Sequence, residues 1–170
     1  MSVRRTPLLH PFTDGHEKGS GPTRGFLANW GKNITLISSL GKERGMGASL
    51  VVEGSTNAMV FETYLQEVLL PTLKKGQLVV MDDLSAHKGQ RVRDLIEARG
   101  CQLIYLPPYS PDFSPIEEAF SKLKMLLRKA KARTRVALLE AIGRALPAIT
   151  PQDAAGYFGH CGYPLDAQPS

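Results

Sequence analysis

A mixed β-sheet flanked by helices, in an α/β fold, is the expectation for this chain, and three observations carry it. Strand-like and helix-like segments alternate from residue 33 onward as a hairpin, then helix, strand, helix, strand, helix. The run Leu78-Val79-Val80-Met81 is apolar at every position, as a short strand buried on both faces requires. A proline-stiffened loop from Pro107 to Pro111 then leads into a long segment whose Ile116, Phe120, Leu123 and Leu127 recur at helical spacing. At 170 residues with 42% apolar content, the chain has material for one core and one domain.

The elements follow in order. Residues 1–27 hold Pro7, Pro11, Gly15, Gly19, Gly21, Pro22 and Gly25 among polar residues, and read as an irregular or disordered segment. Ile34 to Ile37 predicts a strand, Gly41 to Gly47 a turn and Ser49 to Val52 a second strand, together a β-hairpin. Ser55 or Thr56 can cap a helix whose apolar face is Phe61, Tyr64, Leu65, Val68 and Leu69, ending by Pro71 and Gly76. After the strand at 78–81, a helix is predicted over about 86–99, with Ser85 as its cap, Val92, Leu95 and Ile96 facing inward and Gly100 as its stop. A strand from Gln102 to Leu106 precedes the long helix, which starts near Pro115, and Thr134 and Thr150 read as caps of two further helices. Sheets of this kind bind ligands at the carboxyl ends of their strands, which puts a site near Asp82 and Asp83.

Composition narrows the partners. Lys plus Arg number 21 against 16 Asp plus Glu, a net charge of +5 that suits a polyanionic partner. Cys101 and Cys161 make no ligand-spaced set with the histidines, so reduced thiols are expected. No apolar run reaches the roughly 18 residues of a membrane helix, and no apolar signal stretch opens the chain, so a cytoplasmic location away from membranes is expected.

Cleavage of a phosphodiester by the two-metal route needs carboxylates that hold two divalent cations roughly 3.5–4 Å apart. Their hard oxygens suit Mg²⁺ or Mn²⁺. A carboxylate at a strand end and another on the first turn of a helix can converge on such a pair, and Asp82 and Glu117 fit those two places. Adjacent strand residues face opposite sides, so Asp82 and Asp83 should not both serve one site, and alternation by itself does not choose between them. Ser114-Pro115-Ile116-Glu117 also spells a capping box, which would turn the Glu117 side chain back to the helix start. Beyond Glu117 come Lys122, Lys124, Arg128, Lys129 and Lys131, with no acid between Ala119 and Leu139. Such a face can neutralise phosphates along a bound strand, and His87 and Lys88 could extend it beside Asp82.

The segments from Val79 to Lys88 and from Leu106 to Glu117 resemble the two later signature blocks of DDE transposases, nearest to the mariner-like branch and its bacterial insertion-sequence relatives. In that family 34 residues separate the second Asp from the Glu, and 34 lie between Asp82 and Glu117, which selects Asp82 over Asp83. The resemblance spans about residues 28–163, includes Asn29-Trp30-Gly31-Lys32, and leaves 164–170 as a tail. It implies an RNase H-like fold, with Asp82 and Glu117 holding Mg²⁺ or Mn²⁺ for DNA cleavage and strand transfer. DNA of the transposon ends and target, and a second copy or a full-length transposase, are the implied partners. The family's first Asp lies at a strand end upstream of the Asn-Trp-Gly segment, in an apolar-apolar-Asp-Glu motif that this chain lacks before Trp30. Asp14, the only acid before Glu17, stands in a turn-like setting. The expectation is therefore a central strand missing or replaced, and a transposase catalytic domain inactive by itself. The alternative is a non-catalytic DNA-binding or regulatory fragment.

Overall fold

A computed structural model describes residues 4–13, 34–54, 56–82, 89–107 and 111–163, the first of these through backbone and pairing alone. Asp14, the Asn29–Lys32 segment, Asp83, Ser85, His87 and Lys88 lie outside the described residues. Among those described, no helix is long and apolar enough to cross a membrane.

The hairpin is longer than its apolar runs suggest. Strand β2 spans Ile34–Gly41 and β3 spans Gly45–Glu53, with only residues 42–44 in the turn. Polar Ser38 and Ser39 conceal the second half of β2, yet both are buried. Ser38 Oγ shares a 2.6 Å hydrogen bond with Ser49 Oγ across the pair, which offsets the cost of burying the hydroxyl. Gly45 has φ +74°, and a Cβ there would collide with the Ile149 carbonyl oxygen. Glycine is what lets the turn dock so closely.

The centre of the sheet corrects the sequence reading. Strand β1, Arg4–Thr13, lies in the stretch expected to be irregular and fills the place of the strand expected to be missing. It pairs antiparallel with β2, from Leu8 with Leu40 to Thr13 with Thr35. On its other side it runs parallel to β4, Gln77–Met81, from Arg4 with Gln77 to Leu9 with Met81. Pro7 and Pro11 argue against a central strand because proline cannot donate to a ladder. The register with β4 shifts between Arg5 and Leu8, around Pro7, and Pro11 lies past the last pair with β4. Each proline thus sits where one ladder is broken or finished.

Asn57, not Ser55 or Thr56, caps α1, Ala58–Tyr64; its side chain accepts a 2.9 Å hydrogen bond from the Val60 N–H. The helical path continues through a π turn, Leu65–Leu69, and a 3₁₀ turn, Leu70–Thr72, where Pro71 lacks the N–H that another α turn would use. Helix α2, Gln90–Ala98, starts later than expected, with Gly89 in the cap position. Parallel strand β5, Gln102–Tyr105, closes the sheet order β3-β2-β1-β4-β5. Then come α3, Pro115–Ala130, α4, Arg135–Ala145, and α5, Pro151–His160. Thr134 and Thr150 cap the last two, as their sequences indicate.

Two apolar layers lie on either side of the sheet. One joins Leu36, Leu40 and Val80 to Ile116, Phe120 and Leu123 of α3, with Leu138 and Ile142 of α4 and Phe158 of α5. The other joins Ile37, Val79 and Met81 to Phe61, Tyr64 and Leu65, and to Val92 and Ile96 of α2. The all-apolar β4 run is thus explained, since alternate residues serve opposite layers. Burying each of Ile116, Phe120 and Leu123 contributes about 1.5–3 kcal/mol, which anchors α3 along its length. Tyr64 is buried with its hydroxyl donating to the Ala48 carbonyl at 2.8 Å, and burial pushes its ionisation upward.

Candidate metal and nucleic-acid site

Asp82 is the residue immediately after β4. Val80 faces the α3 layer and Met81 the opposite one, so alternation puts Asp82 on the α3 side at the carboxyl edge of the sheet. The residue is half-buried, with its Oδ2 atom shielded from solvent. The Leu106 N–H donates to the Met81 carbonyl at 2.7 Å, which ties the exit of β5 to the exit of β4.

Glu117 stands in the first turn of α3, half-buried, directly after the anchoring Ile116. The capping box expected around it is not made on the serine side. Ser114 occupies the cap position with no side-chain hydrogen bond to the helix, and its hydroxyl is buried with no hydrogen-bond partner among the described residues. Thr150 and Asp153 form the box that the Ser114 segment only spells.

The basic residues of α3 divide between two flanks. Helical spacing aligns Glu117 with Lys124 and Arg128, and Lys131 follows at the cap in a left-handed conformation, φ 47°. Lys124, Arg128, Lys129 and Lys131 are all exposed. Lys122, on the other flank, meets Asp153 Oδ2 at 2.7 Å, and one turn earlier Glu118 Oε2 lies 3.1 Å from His160 Nδ1. That flank holds α5. The Lys122 ammonium, with help from the amide and hydroxyl of Thr150, holds the Asp153 carboxyl down at about 2. Nothing in the sequence near Lys122 signals this role; Thr150 with an acid three residues on is the local hint to its partner.

Asp82 after a strand and Glu117 in the first turn of a helix are each hard-oxygen donors, the type that suits Mg²⁺ or Mn²⁺. Among the described residues, no group of three His, Cys, Asp or Glu side chains comes together.

The model of one protein family, described as DDE superfamily endonuclease, matches residues 14–139, most of the chain. The chain belongs to the DDE superfamily of endonucleases. Its fold is similar to solved members and to retroviral integrases. With the catalytic domain of Mos1 transposase, solved with raltegravir and Mn, it shares 14% identity at a TM-score of 0.65, over 94% of this chain and 80% of that one. With the catalytic core of BIV integrase the figures are 14% and 0.55, over 96% and 100%. It spans about half of the chain in the Mos1 strand transfer complex, 51%, with 15% identity and a TM-score of 0.59. No curated protein sequence matches it. The RNase H-like, DDE-type fold that the motifs imply is therefore the fold of this chain, central strand included.

Proposed function

We propose that this DDE domain binds DNA beside a divalent cation held by Asp82 and Glu117, and that it is a transposase catalytic domain lacking one ligand for full cleavage and strand transfer. The observation that carries the reading is the alignment of Glu117 with the exposed Lys124 and Arg128 on α3, the helix packed on the sheet face that Val80 lines just before Asp82. Mg²⁺ or Mn²⁺, when bound, would supply Lewis acidity to a phosphodiester and favour an attacking oxygen over its protonated form. Asp82 and Glu117 orient that cation from a rigid strand end and a rigid helix start. Lys124, Arg128 and Lys131 neutralise successive phosphates of the strand that leaves the site, whereas Lys129, seven residues past Lys122, falls on that residue's flank. His87 and Lys88, close to Asp82 in sequence, are further candidates for phosphate contact. Lys122 supports α3 through Asp153 and so keeps the stripe in place.

Two measurements test this. Affinity for duplex carrying a transposon end should fall with salt, and Ala at Lys124, Arg128 and Lys131 together should flatten the log–log slope by roughly 2–3. The intact chain should give little nicking in Mg²⁺. Salt-independent binding, or efficient nicking that survives Asp82→Asn, would overturn the proposal.

A further inference from the structure

At the end of the sheet opposite Asp82, three loops meet. Strand β2 runs from Thr35, paired with Thr13, to Leu40, paired with Leu8, so residues 42–44 turn at the end where β4 and β5 begin. Arg44 Nη1 donates to the Thr72 carbonyl at 3.3 Å and joins that turn to the loop before β4. This loop is tied in turn to the one before β5. The Gly76 N–H donates to the Gly100 carbonyl at 2.7 Å, and Cys101 Sγ donates to the Lys74 carbonyl at 3.3 Å. The Lys74 N–H donates to Oε1 of buried Gln77 at 2.7 Å. The Lys75 stem lies across Gly100, where a Cβ would stand 2.7 Å from its Cγ. Residues 41–44, 72–77 and 99–101 carry five cations, Lys42, Arg44, Lys74, Lys75 and Arg99, against one acid, Glu43, a net +4 out of the +5 of the whole chain. Arg44, Lys74, Lys75 and Arg99 are exposed, and none of the four has an ion pair among the described residues.

We propose that this amino edge is a second DNA-binding surface, on which Arg44, Lys74, Lys75 and Arg99 hold backbone phosphates of a duplex segment separate from any at Asp82. Cations of one sign gathered without partners repel one another, and a polyanion relieves that repulsion. Neighbouring strands lie about 4.8 Å apart, so the row from the β2–β3 turn to the start of β5 is roughly 14 Å long, the axial rise of about four phosphates on one strand. Strand β4 is five residues long, which puts Asp82 about 17 Å from that row. None of the exposed large apolar side chains among the described residues lies in the three loops. The surface thus offers neither a wedge for lipid nor a stacking platform for unpaired bases, and what it fits is the backbone of a duplex. For a member of an endonuclease superfamily, that duplex is DNA. The surface stands by its own charge, whether or not the α3 stripe binds; with both engaged, one chain holds two duplex segments at opposite ends of its sheet.

The test titrates the full chain with a short duplex of arbitrary sequence, about 10 base pairs or one helical turn, and follows backbone amides by nuclear magnetic resonance. The Gly76 and Gly100 amides should shift in the unaltered chain, a readout that needs no variant to fold. They should shift equally when Lys124, Arg128 and Lys131 are all alanine. Lys74→Gln, Lys75→Gln and Arg99→Gln together should lower the log–log salt slope of binding by about 2–3 while the thermal transition is kept. Lys74→Arg with Lys75→Arg should retain the slope. Gly76 and Gly100 amides that stay put at saturating duplex overturn the proposal, as does an unchanged slope in the triple glutamine variant. Shifts confined to α3 overturn this surface and leave the α3 stripe standing; shifts confined to the amino edge support this surface and overturn the stripe.

Discussion

Ser114 and Thr150 occupy the same place in the same local pattern, a hydroxyl residue followed by proline and, three residues on, an acid. Thr150 and Asp153 complete the reciprocal box because Lys122 of α3 fixes the Asp153 carboxylate at 2.7 Å. Ser114 has no such support; its hydroxyl is buried with no hydrogen bond among the described residues. The two positions should therefore respond differently to alanine. Urea denaturation of Thr150→Ala should show a loss of about 1 kcal/mol, the usual worth of a helix cap. Ser114→Ala should be neutral or stabilising by up to about 1 kcal/mol, since it removes a polar atom already deprived of water. A loss at Ser114 equal to that at Thr150 would mean that the Ser114 cap forms in solution and that Glu117 is bound up in it. At this scale the sequence was legible for Asp82 and Glu117 as a spaced pair. It was ambiguous for what Glu117 does, because the box and the ligand are spelled by the same letters.

Helix α3 ends on Lys131 in the left-handed region, at φ 47°, where glycine is the unstrained choice. A Lys there costs about 1 kcal/mol, yet it continues the cationic stripe begun by Lys124 and Arg128. Lys131→Gly separates the two effects. Chemical denaturation should show stabilisation by about 0.5–1 kcal/mol, while the salt slope of DNA binding should drop by about 1. A change in stability without a change in slope would place Lys131 outside the DNA path. Element types from the hairpin to the last helix were readable because apolar periodicity and caps act locally. Boundaries were less so. The second half of β2 was hidden by buried serines, and the start of α2 by a serine that resembles a cap but precedes the helix by several residues.

Across the whole molecule, everything depends on β1. The family match begins at residue 14, just past its last residue, so the signature of the superfamily does not reach the strand that completes the sheet. Without β1, strands β2 and β4 would each present an unpaired edge in the centre of the core, with buried backbone groups left unsatisfied. A chain starting at residue 14 should therefore lose the cooperative thermal transition of the full chain, followed by circular dichroism. A sharp transition retained by that shorter chain would show that β1 is an accessory to the sheet and not its centre.

The sequence by itself determined the superfamily, the alternation of strands and helices, and the two acids whose spacing marks the site, because those depend on local periodicity and on residue types at fixed separations. Tertiary structure alone decided that a proline-bearing N-terminal stretch is the central strand, and that Lys122 braces α5 while Lys124 and Arg128 line up with Glu117. Each is a matter of which strand or helix lies beside which. Pairing between segments some 70 residues apart in sequence rests on shared burial and hydrogen-bond register, and neither is written in the neighbourhood of any one residue.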